Sequence, residues 1–148
     1  MKMIKKIHTC SAITAFLLIL LFFSSSIIVE LFGDHHAVLM VKTSILYGIG
    51  LLIPMMVLTG FTGFKMAPKV KTGPIGNKKK RMPFIAFNGL LILLPCAIYL
   101  YHLASLNQFD RWFYIVQVVE LIAGFINLIL MTLNIRDAHQ VKYTLQTA

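Results

Sequence analysis

The sequence has few charged residues and very few acidic ones. Of its 148 residues, 13% are charged and only five are aspartate or glutamate, whereas 58% are hydrophobic. Soluble domains contain about 25% charged residues, and the mean hydropathy of this chain is +0.81. The composition therefore excludes an ordinary soluble domain and favours a protein whose solvent is a lipid bilayer.

Motifs for redox, nucleotide and hydrolytic chemistry are also missing. The two cysteines, Cys10 and Cys96, form neither a CxxC nor a CxxCH pattern, which excludes a thiol redox motif and covalent attachment of c-type haem. No phosphate-binding loop occurs in the sequence, and no serine, cysteine or threonine nucleophile has an evident base. These absences favour a binding protein over an enzyme.

Four long apolar runs occupy most of the chain, at about residues 11–31, 38–64, 82–102 and 112–135. Each is long enough to cross a bilayer core as a helix, which takes roughly 20 residues. The first run follows three lysines, as in a secretory signal peptide, but no clear cleavage site follows, so a retained helix is expected. We therefore predict an all-α integral membrane protein, a four-helix up-down bundle forming a single transmembrane domain over residues 1–148, with a basic loop at 65–81.

Positive charge is concentrated on one side of this predicted bundle. Twelve of the 14 basic residues fall on the side that holds both chain ends and the long loop. An excess of Lys and Arg marks the cytoplasmic side, so we predict a bacterial inner-membrane protein with both termini cytoplasmic. The cluster of Lys78, Lys79, Lys80 and Arg81 is expected to fix topology and attract anionic lipid headgroups. A macromolecular partner is the alternative for this cluster, although the charge distribution does not favour nucleic acid.

Glu120 is the most informative residue, because it lies about halfway along the fourth apolar run. An ionisable group at that depth costs on the order of 3 kcal/mol on insertion scales and marks a candidate functional site. No basic side chain is evidently level with it, although Lys42, which is nearer the surface, has a stem long enough to reach inward. We expect a neutral carboxyl group that donates to a tyrosine or a carbonyl. Glu120 then acts either in proton exchange or as a structural acid that locks the bundle.

Polar and small residues form one stripe on each of three predicted helices. The stripes are Gln117, Glu120, Gly124, Asn127 and Asn134 on the fourth helix, Asn88, Pro95, Tyr99 and His102 on the third, and Thr43, Tyr47, Gly50 and Pro54 on the second. Helical periodicity places each stripe on one face, and polar faces of membrane helices turn towards other helices. We therefore predict an interior polar site formed by Glu120, Gln117, Tyr47, Tyr99, Asn88 and Asn127. Ordinary interhelical hydrogen bonding is the alternative, and the matched depths of Asn88 and Asn127 predict that these two pair.

Ionisable residues also collect at the predicted outer rim of the bundle. They are His35, His36 and His102, together with Glu30, Asp34, Lys42 and Asp110. Imidazole and carboxylate groups bind zinc, copper and iron, so His36 and His102, with His35 as a substitute, are candidate ligands of haem b or a divalent metal. Solvated histidines are the alternative, which is also what we expect for His8 and His139 on the opposite side.

The TGFTG segment at residues 59–63, the basic loop and the histidines near helix ends resemble a known membrane architecture. The chain is similar to small bacterial four-helix membrane cytochromes of the b561 type and to copper-resistance-D-like membrane domains. The resemblance implies a four-helix membrane fold and haem held by histidines. Those families place the ligating histidines well inside several helices, whereas the first and fourth runs here contain no internal histidine.

These features together predict a small membrane protein that acts as a binding or accessory subunit. Its partner is a larger membrane complex, a second copy of the chain or a lipid-like ligand, and its polar site surrounds Glu120. One alternative is electron transfer through a haem or metal at the outer face. The other is an oligomeric transporter or channel subunit with Glu120 in the pathway.

Overall fold

The computed structural model describes residues 2–66 and 73–147, with side chains up to residue 140. The elements in these ranges are α1 (Lys2–Phe32), α2 (His35–Met66), α3 (Gly73–Asn88), a π-helical turn (Gly89–Leu93), α4 (Leu94–Ser105) and α5 (Arg111–Thr147). Because α3, the π turn and α4 are continuous, the described chain forms four helices that are long and apolar enough to cross a membrane. The predicted all-α class is therefore confirmed.

The helices extend beyond the predicted apolar runs, and before the third run this extension alters the predicted basic loop. α3 begins at Gly73, so residues 73–81 of the predicted basic loop are helical, while residues 67–72 lie outside the described residues. A search for apolar runs detects only the lipid-matched part of a helix, whereas Lys and Arg are themselves good helix formers. Residues 78–81 are consequently held on a helix and not on a loop.

Successive helices run antiparallel around a four-sided bundle. α1 packs against α2 and α5, and both α2 and α5 pack against the continuous α3–α4 helix. The diagonal pairs, α1 with α3–α4 and α2 with α5, do not approach each other closely within the described residues. We call the end with the two short turns the turn end, and the opposite end, where α1 and α3 begin, the basic end.

The spacing between α2 and its neighbour changes along the bundle. Near the turn end α2 packs extensively on α4, whereas towards the basic end it makes only a small contact with α3. The two helices therefore diverge as they approach the basic end. This divergence leaves the side between α2 and α3 only loosely closed near the basic end.

Aspartates close both turns at the turn end. Asp34 accepts a hydrogen bond from the backbone N–H of Ala37 at 2.8 Å, and Asp110 accepts one from the N–H of Phe113 at 3.1 Å. A carboxylate in this position accepts from a backbone N–H that has no partner within the helix. Its negative charge is also stabilised by the positive N-terminal end of the helix dipole. The two predicted rim residues Asp34 and Asp110 thus act as caps that start α2 and α5.

The π turn in the third membrane-length helix is explained by Pro95. Proline has no N–H and its ring clashes with the carbonyl four residues earlier, which here belongs to Leu91 inside the π turn. The Leu94 N–H accordingly bonds to the oxygen of Gly89, five residues back. The extra residue in this turn rotates everything after it by about 100° relative to α3.

Gly48 on α2 leaves the space that the Phe22 ring of α1 occupies. The ring of Phe22 on α1 lies directly over Gly48, so a Cβ at this position would collide with the tip of that ring. Gly50, two residues further along α2, faces outward and a Cβ there would meet nothing within 4 Å. The two glycines therefore make a matched pair of positions with opposite packing.

We expect Gly48→Leu to lower the free energy of unfolding by about 1–3 kcal/mol, because overpacking forces a ring or a helix to move. Gly50→Leu makes the same chemical change on the same helix and should stay within about 0.5 kcal/mol of wild type. Unfolding of both variants in the same detergent measures the difference. Equal loss of stability in both would contradict the close α1–α2 approach at Gly48.

Candidate functional site

The polar stripe on α5 faces the interior of the bundle, as its periodicity predicts. The exposed fractions of Gln117, Glu120, Asn127 and Asn134 are 3%, 9%, 0% and 6%, and Gly124 is buried as well. A polar group buried among apolar side chains without a partner is costly. The contacts of these side chains therefore define the site.

A buried ion pair joins α5 to α2 across the diagonal of the bundle. The Lys42 Nζ donates to Glu120 Oε2 at 2.6 Å, and Lys42 is only 1% exposed. The same carboxylate oxygen accepts from Gln117 Nε2 at 3.1 Å, and Lys42 also reaches the Ser26 hydroxyl on α1 at 3.5 Å. Charge-assisted hydrogen bonds of this kind are short and strong. Three helices are therefore tied together at one point.

This pair corrects two predictions from the sequence. Glu120 has a basic partner, so it does not rely on a tyrosine or a carbonyl, and Lys42 is not a rim residue. The reason is the length of the lysine side chain, whose aliphatic stem packs along apolar surface while the ammonium group reaches a distant partner. Only such a stem spans two helices that do not themselves approach closely.

A second carboxylate lies next to the ion pair. Glu30 on α1 is half-buried and interacts electrostatically with both Lys42 and Glu120. Its Oε1 atom is buried and has no hydrogen-bond partner among the described residues. One lysine therefore faces two carboxylates, so Glu30 is part of the interior polar site and not of a solvated rim.

The two tyrosines predicted to line the site do not reach it. Tyr47 is 81% exposed and Tyr99 is 43% exposed, so both rings lie on the outside of the bundle. On α2 the inward face is the one that carries Lys42 and Ile45, which is out of phase with the predicted stripe. On α4 the residues follow the π turn, whose extra residue moves Tyr99 away from the face of Asn88.

Asn88 and Asn127 form the predicted pair. Asn88 Nδ2 donates to Asn127 Oδ1 at 2.9 Å and also to the backbone oxygen of Ala123 at 2.8 Å. The amide nitrogen of Asn127 is buried and has no hydrogen-bond partner among the described residues. A side-chain amide has two N–H donors, so one side of Asn127 is satisfied and the other is not.

The histidines at the turn end do not form a closed site. His35, His36 and His102 are all exposed, and the His35 ring stacks on Phe109 with 3.9 Å between ring centroids. In the part of the chain that the structure describes, no group of three or more His, Cys, Asp and Glu side chains is placed to hold a metal ion. These residues therefore give no support to a metal centre.

His8 at the basic end is buried, which corrects the prediction that it is solvated. Its Nδ1 lies 3.1 Å from the Thr59 carbonyl and 3.0 Å from the Thr62 hydroxyl, and Lys78 Nζ lies 3.1 Å from Nε2. Because an ammonium group only donates, Nε2 accepts and Nδ1 carries the proton. His8 thus links α1 to both α2 and α3. His139, in contrast, is exposed as expected.

The basic cluster at residues 78–81 is partly used inside the protein. Arg81 pairs with the buried Asp137 at 2.6 Å, which Arg136 also contacts at 3.1 Å. Lys79 lies 5.0 Å above the ring of Phe64 in a cation–π contact, whereas Lys80 is exposed. With Lys78 bound to His8, this predicted headgroup-binding cluster also joins α3 to the other helices.

An apolar cavity of about 270 Å³ lies between the helices, on the side of the ion pair that faces the basic end. Its polar lining residues are Ser26 and Glu120, at the side nearer the turn end, and Asn127. Asn127 lies about 10 Å from Glu120 along α5, towards the basic end. Val57 on α2 and Leu90 in the π turn also line it, although they are 63% and 48% exposed. The cavity therefore opens sideways, through the gap where α2 and α3 diverge.

We expect that removing one member of the ion pair lowers the free energy of unfolding by about 3–5 kcal/mol, because a buried charge is left alone. Lys42→Met should be worse than Glu120→Leu, since it leaves two carboxylates without a cation, whereas Glu30 remains near Lys42 in the other variant. The double variant should lose less stability than the sum of the two single variants, although it still leaves Glu30 without a cation. A double-mutant cycle of detergent unfolding measures this coupling, and strictly additive losses would contradict it.

No protein family model, curated protein or solved structure matches this chain. The resemblance to b561-type cytochromes and copper-resistance-D-like domains therefore stays a prediction. The features of the chain that bear on its function are the ion pair, the cavity and the distribution of charge.

Proposed function

We propose that this chain is a small multi-pass protein of a bacterial inner membrane that binds a lipid-like amphiphile in the cavity between its helices. It acts as a binding or accessory subunit, with both termini and the basic end on the cytoplasmic side, because Lys and Arg accumulate there. Large apolar side chains exposed around the bundle, such as Phe61, Phe84 and Phe125, suit contact with lipid tails.

The cavity is the observation that carries this proposal. Ligand sites are concave, mostly apolar, and contain a few polar groups that orient the ligand, and this cavity combines apolar walls with Ser26, Glu120 and Asn127. Its 270 Å³ equals about nine times the ~30 Å³ that a water molecule occupies in the liquid. A volume of that size accepts part of one chain or a small ring, but not two acyl chains side by side.

The sideways opening favours a ligand that arrives from the bilayer. Val57 and Leu90 are both exposed and both line the cavity, so its mouth faces the surroundings of the helices and not an end of the bundle. A molecule that partitions into lipid reaches this mouth without crossing a polar surface. A water-soluble ligand would have to leave water first.

The polar end of the cavity supplies the selectivity. Lipid tails are as apolar as the cavity walls, so an apolar chain gains little from transfer between them apart from packing contacts. Ser26 and the Glu120 carboxylate offer hydrogen-bonding atoms at the side of the cavity nearer the turn end. A ligand with a polar headgroup therefore binds better than the surrounding hydrocarbon, which is why we propose an amphiphile.

We expect wild-type protein purified in mild detergent to retain one amphiphile per chain, and Gly60→Leu to lose most of it, on the order of tenfold. Gly60 lines the cavity and a Cβ there would meet nothing within 4 Å, so the leucine fills the mouth without displacing a neighbour. Gly50→Leu is the matched control, since Gly50 has equally open surroundings but faces away from the cavity. Native mass spectrometry with extraction of bound lipid measures the occupancy.

Two outcomes would contradict the proposal. One is the absence of any stoichiometric amphiphile in wild type, both after purification and after addition of a cell lipid extract. The other is equal occupancy in the Gly60→Leu and Gly50→Leu proteins, which would place the bound lipid on the outer surface. A comparison of the two variants in unfolding confirms beforehand that both are folded.

A further inference from the structure

The amide nitrogen of Asn127 is one of three buried side-chain atoms without a hydrogen-bond partner among the described residues, and Asn127 is the one of these three residues that lines the cavity. Asn127 is 0% exposed, its nitrogen has no hydrogen-bond partner among the described residues, and it lies on the wall of the cavity. Buried amide groups are nearly always paired, and each exception calls for an explanation. A ligand that fills the cavity would bring the missing acceptor.

Two neighbours fix the direction in which this amide points. Asn88 donates to Asn127 Oδ1 and to the Ala123 carbonyl, so the Asn127 oxygen is held towards α3. The nitrogen is therefore the free side of the group. A Cβ at Gly89 would lie 3.9 Å from this nitrogen and 3.6 Å from the Met56 methyl group, so the glycine of the π turn and Met56 are its neighbours on the cavity wall.

We propose that Asn127 donates a hydrogen bond to a carbonyl oxygen of the bound amphiphile. The inference rests on the proposed ligand binding and names the group that the cavity recognises. An amide N–H carries no net charge, and the ionisable side chain that lines this cavity, Glu120, is already paired with Lys42, so the described residues of the cavity lining offer no cation to balance an anionic ligand. The ligand is therefore a neutral carbonyl compound with an apolar chain.

Two membrane components share this chemistry. The carbonyl belongs either to an acyl ester or to a quinone ring with an alkyl tail. Both are neutral acceptors, both enter from the bilayer, and part of one chain or one small ring fits a cavity of 270 Å³. The test therefore uses a matched pair of probes for each source.

The first pair is methyl palmitate and hexadecyl methyl ether, and the second is decyl-benzoquinone and decylbenzene. Affinity is measured in the same detergent for wild type and for each variant. In one of the two pairs, wild type should bind the probe with the carbonyl about tenfold more tightly than the probe without it. A difference of that size is what one hydrogen bond to a buried donor contributes. The pair that shows this preference identifies the source.

Asn127→Leu should bind both members of that pair equally. Asn88→Leu is the matched control, because it removes the same Asn88–Asn127 hydrogen bond but keeps the Asn127 amide, and it should retain a preference for the carbonyl. Asn127→Ala, which has a smaller side chain, replaces the leucine variant if unfolding shows that Asn127→Leu does not fold. Each variant is compared with wild type at equal folded concentration.

The outcomes separate this inference from the proposed function. If wild type binds both members of each pair equally, and Gly60→Leu abolishes that binding, the carbonyl inference is overturned and the proposed function stands. If Asn127→Leu and Asn127→Ala keep the preference, the donor is a different group and the inference is also overturned. If no probe binds wild type, the proposed function fails together with the inference.

Discussion

The ion pair between Lys42 and Glu120 is the interaction on which the rest of the interior depends. α2 and α5 stand diagonally opposite and do not approach closely, so a long side chain links them, with the Lys42 Nζ 2.6 Å from the Glu120 carboxylate. Burying both charges is favourable only with good geometry and additional hydrogen bonds, which Gln117 and Ser26 supply. The pair thereby fixes the rotation of α2 and α5 about their own axes. It also places a charged group at one side of the cavity, where α1, α2 and α5 meet.

The cavity follows from the same geometry together with one proline. Pro95 forces the π turn at Gly89–Leu93, and this turn, with its glycine, forms part of the cavity wall next to Asn127. Because α2 diverges from α3 towards the basic end, that wall opens sideways. π turns inside helices are frequently found at functional sites. Here the glycine of the turn lies beside the Asn127 amide, with the Met56 side chain as a further neighbour.

The parts of this arrangement that follow a single helical period were predictable from the sequence, and the others were not. The inward stripe of α5 was predicted correctly, as was the Asn88–Asn127 pair. On α2 the charge of Lys42 predicts a place at the rim, but Lys42, Ile45 and Ile49 share the inward face. The spacing of these three residues is the sequence signal that indicates this face. The predicted inward position of Tyr99 was wrong because the π turn adds a residue to the helical period. The predicted exposure of His8 was wrong because the partners that bury it lie on two other helices. The cavity depends on the divergence of α2 and α3, which no pattern in the sequence encodes.

Photolabelling measures directly whether an amphiphile occupies the space between the helices. Proteoliposomes containing the protein are illuminated with a photoreactive single-chain lipid probe, and the labelled positions are mapped by mass spectrometry of peptides. The account predicts saturable labelling of cavity-lining residues such as Met56, Leu93 and Leu121, suppressed by excess unlabelled amphiphile. Labelling confined to outward-facing residues such as Phe61 and Phe125, and unaffected by the competitor, would contradict it.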